Sequence, residues 1–215
     1  LQMKKVLLCL CTAGFMLFGA CSSQENSGVS QVRALLKGQN QSERFVALFE
    51  NQSPALEVLF MNTQSLSRLL LSHQNQGALT WLSIEGSTLT TQNGFIVGTR
   101  GFFEGLQAAR IDAVAELILA ERSGYADRFH SYLNGNNDTS IRSYRCAITP
   151  TTEEMITIKG QTVAVRRIIE RCRNLSDDFS NIYWVRNGAI LQTVQWIGPI
   201  AGSLRIRQVD IYNGG

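Results

Sequence analysis

The stretch GALTWLSIEGSTLTTQNGFIVGTR, residues 77–100, decides the fold. Apolar and polar side chains alternate through it in short runs, so each run offers one face to a core and the other to water. Asn93-Gly94 falls between two runs, and an Asn-Gly pair suits the type I′ turn, whose two central residues both need positive φ. The segment therefore predicts three strands folded back on one another, at 77–84, 87–92 and 95–100.

The pattern continues in both directions. Upstream it predicts strands at 55–61 and 66–73, and downstream at 127–133, 140–149, 153–158, 161–172, 181–187, 189–197 and 203–212. Lys159-Gly160 and Asn187-Gly188 mark two more tight connections. The chain reads as all-β, a mostly antiparallel meander with a barrel-like or half-barrel core and a β-hairpin extension. One short helix is expected near 106–122, within the stretch 105–123, where Ile111, Ala115 and Ile118 recur at helical spacing. In 203–212 the apolar phase moves from Leu204 and Ile206 to Val209 and Ile211, which predicts a bulge near Arg207-Gln208.

The N-terminal region carries an address. Lys4 and Lys5 precede an apolar run from Val6 to Phe18, and Gly19-Ala20 place small residues directly before Cys21, as at a secretory cleavage site. The run is shorter than the roughly 20 residues that span a bilayer. Three regions follow: a lipoprotein signal peptide at 1–20, a lipidated flexible tether at 21–43 opening on an acylated Cys21, and a β-rich domain at 44–215. A docking helix at 29–37 is possible inside the tether. Ser22 beside the acylated cysteine, in place of Asp, favours the outer membrane.

Removal of the signal takes Lys4 and Lys5, leaving 18 basic residues against 17 acidic ones and a net charge of +1. That balance gives no reason to expect nucleic acid or bulk attraction to a membrane. It also leaves Lys37 and Lys159 as the remaining lysines beside 16 arginines. Arginine's planar fork suits carboxylates, phosphates and sugar acids better than a lysine point charge does. With Cys9 and Cys11 removed and Cys21 acylated, Cys146 and Cys172 are the thiols left, and in an oxidising compartment they read as one disulfide. Together with His73 and His130, the two histidines, they match no zinc spacing, so no metal or other cofactor is expected.

Catalytic patterns are equally thin. Glu153-Glu154 and Asp177-Asp178 are adjacent carboxylate pairs, but strand neighbours point to opposite faces, and solvated turn carboxylates explain them better. Neither histidine lies beside a nucleophile motif. Two sets remain as candidates for contact with a ligand or partner. Arg142, Arg145, Arg166, Arg167, Arg171 and Arg173 cluster around the two cysteines, with Glu153, Glu154 and Glu170 as balancing charges on a solvated face. Trp81, Trp184 and Trp196 lie on strands and could form a sugar-stacking platform, although aromatics there are more often core. The residues to test are Arg100, Arg145, Arg166, Arg167, Arg171, Trp81, Trp184 and Trp196.

The order of several elements is more specific than any one of them. The lipobox, Trp81-Leu82, Leu89 to Phe95, Gly98-Thr99-Arg100-Gly101, Glu170-Arg171-Cys172, Tyr183-Trp184-Val185 and Gln195 to Pro199 together resemble the YjbF/GfcB family of bacterial lipoproteins. The resemblance implies a lipoprotein of group 4 capsule or exopolysaccharide operons, an accessory factor in polysaccharide export on the periplasmic face of the outer membrane. Implied partners are an outer-membrane β-barrel and periplasmic proteins of the same operon, and the polysaccharide itself. A binding or scaffolding role without catalysis is the expectation. The alternatives are a polysaccharide-modifying enzyme and a β-cavity carrier of a lipid or lipid-linked glycan.

Overall fold

The computed structural model describes residues 42–209 apart from 103–104, 134–135 and 137. Cys21, the signal, most of the tether and the 29–37 helix lie outside the described residues. Twelve antiparallel strands form one sheet, each bonded to its neighbours in sequence except β5 and β6. They are β1 Ala55–Phe60, β2 Ser65–Asn75, β3 Ala78–Leu82, β4 Thr88–Gln92, β5 Phe95–Arg100, β6 Leu106–Arg110, β7 Gly124–Leu133, β8 Thr139–Ile158, β9 Gln161–Arg173, β10 Asp178–Arg186, β11 Ala189–Gly198 and β12 Gly202–Val209. β1 also pairs with β12, from Ala55↔Val209 to Phe60↔Leu204. First and last strands thus curl the meander into a nearly closed barrel, and its seam lies between β5 and β6, the two ends of the sheet.

The seam is tight although no ladder crosses it. A Cβ on Gly98 would stand 3.3 Å from the Gln107 carbonyl oxygen, and one on Gly105 would stand 3.1 Å from that of Thr99. Only glycine lets the two backbones approach so closely.

The two ends of the barrel differ. At one end four hairpins close in two residues with positive φ at both: Gln76-Gly77, Asn93-Gly94, Lys159-Gly160 and Asn187-Gly188. At the other end the connections are longer, at 61–64, 83–87, 101–105, 134–138, 174–177 and 199–201.

Two short helices complete the described residues. Helix α1, Glu43–Glu50, lies outside the barrel and packs Phe45 with Ala55, Leu70 and Leu82. It falls where a flexible tether was expected to end. Its cue was the spacing of Phe45, Leu48 and Phe49 behind Ser42. Val209 packs into the same outer cluster, which accounts for the apolar phase change without a bulge. Pairing of β1 with β12 runs unbroken through Arg207 and Gln208, and the irregularity in β11–β12 falls instead between Trp196 and Gly198.

Helix α2, Asp112–Leu119, is shorter than 105–123, because Leu106–Arg110 is strand β6. Val114 and Ile118 are fully buried among Phe95, Ile148, Ile168 and Tyr183, so α2 caps the interior at the tight-turn end. The segments 140–149 and 153–158 are one strand, β8, whose pairing with β9 shifts between Pro150 and Glu153. Proline has no N–H to give the ladder, so the shift occurs where a bond is already lost. Beyond it, β8 and β9 run on to the Lys159-Gly160 turn as the hairpin extension.

The interior is filled. One cluster gathers Leu56, Val58, Leu69, Trp81, Leu89, Ile96, Leu204 and Ile206; a second gathers Phe95, Tyr144, Ile148, Ile168, Tyr183 and Val185 around α2. Gln195 joins the halves, because its amide oxygen accepts the Ile96 N–H at 3.1 Å and its amide nitrogen donates to the Gly94 carbonyl at 3.0 Å. The amide thus serves a backbone donor and acceptor of the β4–β5 hairpin, groups that are costly to bury unmade. A crevice of about 70 Å³ remains beside Trp81, Thr91 and Ile206.

Candidate functional site

Cys146 and Cys172 stand directly opposite each other on β8 and β9, with Cα atoms 4.0 Å apart, and form a buried disulfide. Closing a loop with a sequence separation of 26 contributes on the order of 3 kcal/mol. Alternation then divides these strands into two different chemistries, one on each face.

The inward face carries a saturated polar network. Arg128 on β7 is 1 % exposed, and its Nη1 lies 3.0 Å from Glu170 on β9, itself fully buried. Glu170 also accepts from Asn181 and from the Tyr183 hydroxyl, both at 2.7 Å. Burial alone would lower the Arg128 pKa, but Glu170 and Tyr183 outweigh it and hold the guanidinium above its ordinary value. The same burial and the Glu170 charge push the Tyr183 hydroxyl well up. Arg128 Nε donates to His130 Nε2 at 2.8 Å, which leaves Nδ1 to carry the proton toward the Tyr132 hydroxyl, also at 2.8 Å. Burial, and then the Arg128 charge, lower the His130 pKa to about 2. Every charged group in this network has its partner.

The expectation that Glu170 balances a solvated arginine face is therefore corrected. Its carboxylate points inward, beside the disulfide, and among the described residues Cys146, Glu170 and Cys172 form the one group with metal-ligand proximity. Both sulfurs are bonded to each other, so the group offers no thiolate.

Toward the loop end an aromatic stack follows. Pairing of β10 with β11 stops at Ile182↔Val194. Beyond it the Asn181 side-chain oxygen accepts the Trp196 N–H at 2.8 Å, and the Trp196 ring stacks on Phe179 at 4.3 Å. Asp177 accepts from Arg142 at 3.2 Å and from the Tyr144 hydroxyl at 3.1 Å. Burial, and then the Asp177 charge, push that hydroxyl up to about 12. Asn174 orients the carboxylate by accepting the N–H groups of Ser176 and Asp177. Asp177 is thus a structural acceptor, whereas Asp178 and Glu153 are exposed.

The outward face carries the arginines. The registers Asp127↔Arg145, Arg145↔Arg173 and Arg173↔Asp178 lay one row of charges across β7 to β10, and Tyr125, Ala147, Arg171 and Ser180 form the next. Arg145 meets Asp127 at 3.0 Å and lies over the exposed Tyr125 ring. Arg171 and Arg173 are exposed and, among the described residues, have no carboxylate partner. Tyr125, Arg145, Arg171, Arg173 and Asp178 line one shallow depression.

The other sequence candidates lie elsewhere. Arg166 pairs with Glu121 at 3.2 Å and Arg167 with Glu154 at 3.8 Å, toward the hairpin extension. Arg100 lines a separate groove at the β5/β6 seam with Thr88, Thr90 and Gln107. The three tryptophans form no common platform: Trp81 and Trp196 pack on one interior cluster and Trp184 does not. Trp81 is buried and donates to Thr91, Trp196 belongs to the stack, and Trp184 lies on the outer surface against Glu154.

Among curated proteins none matches the sequence. In solved structures the fold is similar to that of the hypothetical lipoprotein YmcC from Escherichia coli K12, at 18% identity and a TM-score of 0.64 over 86% of this chain and 96% of that one. An exported protein from Bacteroides fragilis, with YmcC-like fold, aligns over 72% of this chain and 92% of its own at 9% identity and a TM-score of 0.26. The family model described as group 4 capsule polysaccharide lipoprotein GfcB, YjbF, matches residues 31–209, which span the barrel from before α1 to the end of β12. The chain belongs to that YjbF family of capsule lipoproteins.

Proposed function

We propose that this protein is a non-catalytic accessory factor in capsule or exopolysaccharide export, held by acylated Cys21 in the outer membrane and facing the periplasm. Family membership supports the pathway. The observation that carries the mode of action is the contrast between the two faces of β7 to β10: the inner charges are paired with one another, while Arg171 and Arg173 stand outside with no ion pair among the described residues. Among the described residues the interior clusters are packed, and the crevice beside Trp81, at about 70 Å³, is small for a carried lipid. The outer arginines suit an acidic polymer or an acidic surface on a partner of the export machinery, since exposed guanidinium groups bind carboxylates and phosphates in pairs.

The test is complementation of a deletion strain. Cys21→Ser should release the protein from membranes and abolish fatty-acid labelling. Arg171→Ala with Arg173→Ala should reduce surface polysaccharide at unchanged protein abundance. Full loss of export from Asp178→Ala or Glu153→Ala at normal abundance, with the arginine pair silent, would replace this reading with an enzymatic one.

A further inference from the structure

Five large apolar side chains are exposed along one arc of the barrel's loop end. In sheet order they are Ile141 near the start of β8, Leu175 in the β9–β10 turn, Ile200 in the β11–β12 turn, Met61 in the β1–β2 turn and Leu66 just inside β2. Leu175 is 107 % exposed and Ile141 74 %, so neither is packed into a core among the described residues. The turns bearing Met61 and Ile200 are bonded together, by Met61 N–H to the Ser203 carbonyl at 2.9 Å and by Asn62 to that of Ile200 at 3.4 Å. Asp177, inside the arc, is neutralised by Arg142 at 3.2 Å. By contrast the tight-turn end ends in polar hairpin tips and α2, and Met155 is exposed on the extension alone.

The described chain begins at this same end, before α1. Ser42 N–H donates to the Ile84 carbonyl at 3.1 Å, in the β3–β4 connection, the next loop-end turn beyond the one carrying Met61. Residues 22–41 separate Cys21 from that point, and an extended chain of this length spans at most about 70 Å. Ser42, the first described residue, and the apolar arc therefore lie at one end of the barrel.

We propose that this loop end rests on the lipid surface, with Leu175, Ile200, Ile141, Met61 and Leu66 entering the headgroup region and the arginine face standing beside it. The proposal builds on the lipid-anchored reading above and adds an orientation to it. The acyl chains on Cys21 hold the protein at the membrane but leave the barrel's orientation open, and an apolar contact would fix that orientation with a strength in proportion to the area buried. With the arc on the membrane, the hairpin extension and its Lys159-Gly160 tip point into the periplasm, available to a partner.

The experiment removes the anchor so that the two readings fail separately. Mature protein carrying Cys21→Ser, and hence no acyl chain, is floated with phosphatidylcholine vesicles, whose neutral headgroups exclude a simple charge effect. It should rise with the vesicles, and Leu175→Ser with Ile200→Ser should weaken its partition about tenfold, while Met155→Ser should leave it unchanged. Near-UV circular dichroism verifies the fold; all three substituted side chains are exposed, so none removes core packing. If the unacylated protein stays with the aqueous fraction, or the double variant floats as well as its parent, the orientation is wrong whatever holds Cys21. Absence of fatty-acid labelling on the unaltered protein in cells would overturn the anchor instead, and would leave a positive flotation result standing.

Discussion

Arg128 and Glu170, 42 residues apart in sequence, meet at 3.0 Å inside the barrel with both side chains out of water. Glu170→Ala removes the partner of a buried guanidinium and should cost about 3–5 kcal/mol. Arg128→Met combined with Glu170→Leu should cost less than Glu170→Ala alone, because no charge is then stranded. Denaturant midpoints of the variants decide it. A double variant as unstable as the sum of its parts would mean the pair is not coupled.

His130 adds a pH dependence to the same network. Its folded pKa is about 2 against an ordinary 6.5, so below the latter value the unfolded chain takes up a proton that the folded chain refuses. The folded state therefore loses stability as pH falls from 6.5 toward 2, at a rate of up to about 1.4 kcal/mol per pH unit. His130→Gln should be less stable at neutral pH, since it breaks the bonds to Arg128 and Tyr132, yet should fall less steeply between about pH 6.5 and pH 5. Equal slopes for the two proteins would show that His130 does not titrate differently on folding.

The meander was legible because its turns are written in local chemistry. Asn93-Gly94 and Asn187-Gly188 need no tertiary information to favour hairpins, and two leftover thiols in an exported chain have one another as partners. What sequence hid was which way a charge points. In β7 the alternation places Ala126, Arg128, His130 and Tyr132 on one face and Asp127, Phe129, Ser131 and Leu133 on the other, so apolar content does not identify the inner phase. Glu170 looked like a surface residue because buried charges are rare, and only its meeting with Arg128 across strands makes burial possible. Strand β6 was hidden for a related reason. Of its five residues only Leu106 is buried, which leaves too little alternation to set against the helical spacing that follows it. Val209 showed the limit of reading one core, since its phase belongs to the cluster under α1 outside the barrel.

Gly94 and Gly160 separate two costs that sequence cannot distinguish. Both have positive φ, at 86° and 73°, so alanine at either carries the left-handed penalty of about 1–2 kcal/mol. A Cβ at Gly160 meets nothing within 4 Å, whereas one at Gly94 would lie 2.7 Å from Ile190 Cβ. Gly94→Ala should therefore cost about 1–3 kcal/mol more than Gly160→Ala, and Ile190→Gly, which removes that Cβ, should recover part of that difference in the double variant. Thermal denaturation of the three proteins measures it; equal effects at the two glycines would mean the β4–β5 tip does not seat on β11.

The last prediction concerns the outer arginines. Sequence proximity made Arg166 and Arg167 equal candidates with Arg171, but their guanidinium groups already face Glu121 and Glu154, so a ligand would have to displace a carboxylate to use them. Arg171 and Arg173 carry no such cost, and they lie two residues apart on one strand, on the same face, with Arg145 alongside. A repeating uronate polymer presents carboxylates that such a row can bind in succession. Polygalacturonate, used as the acidic probe, should bind the mature protein with an affinity that declines with added salt, while dextran should not bind, because the attraction is between exposed charges and is screened. Arg171→Ala with Arg173→Ala should weaken the acidic polymer about tenfold or more, and Arg166→Ala with Arg167→Ala should change it little. Lysine at 171 and 173 should restore only part of the affinity, since a point charge cannot reproduce the bidentate fork. Binding that survives loss of both outer arginines, or that does not distinguish polygalacturonate from dextran, would remove this face from the account and leave protein partners as its only remaining use.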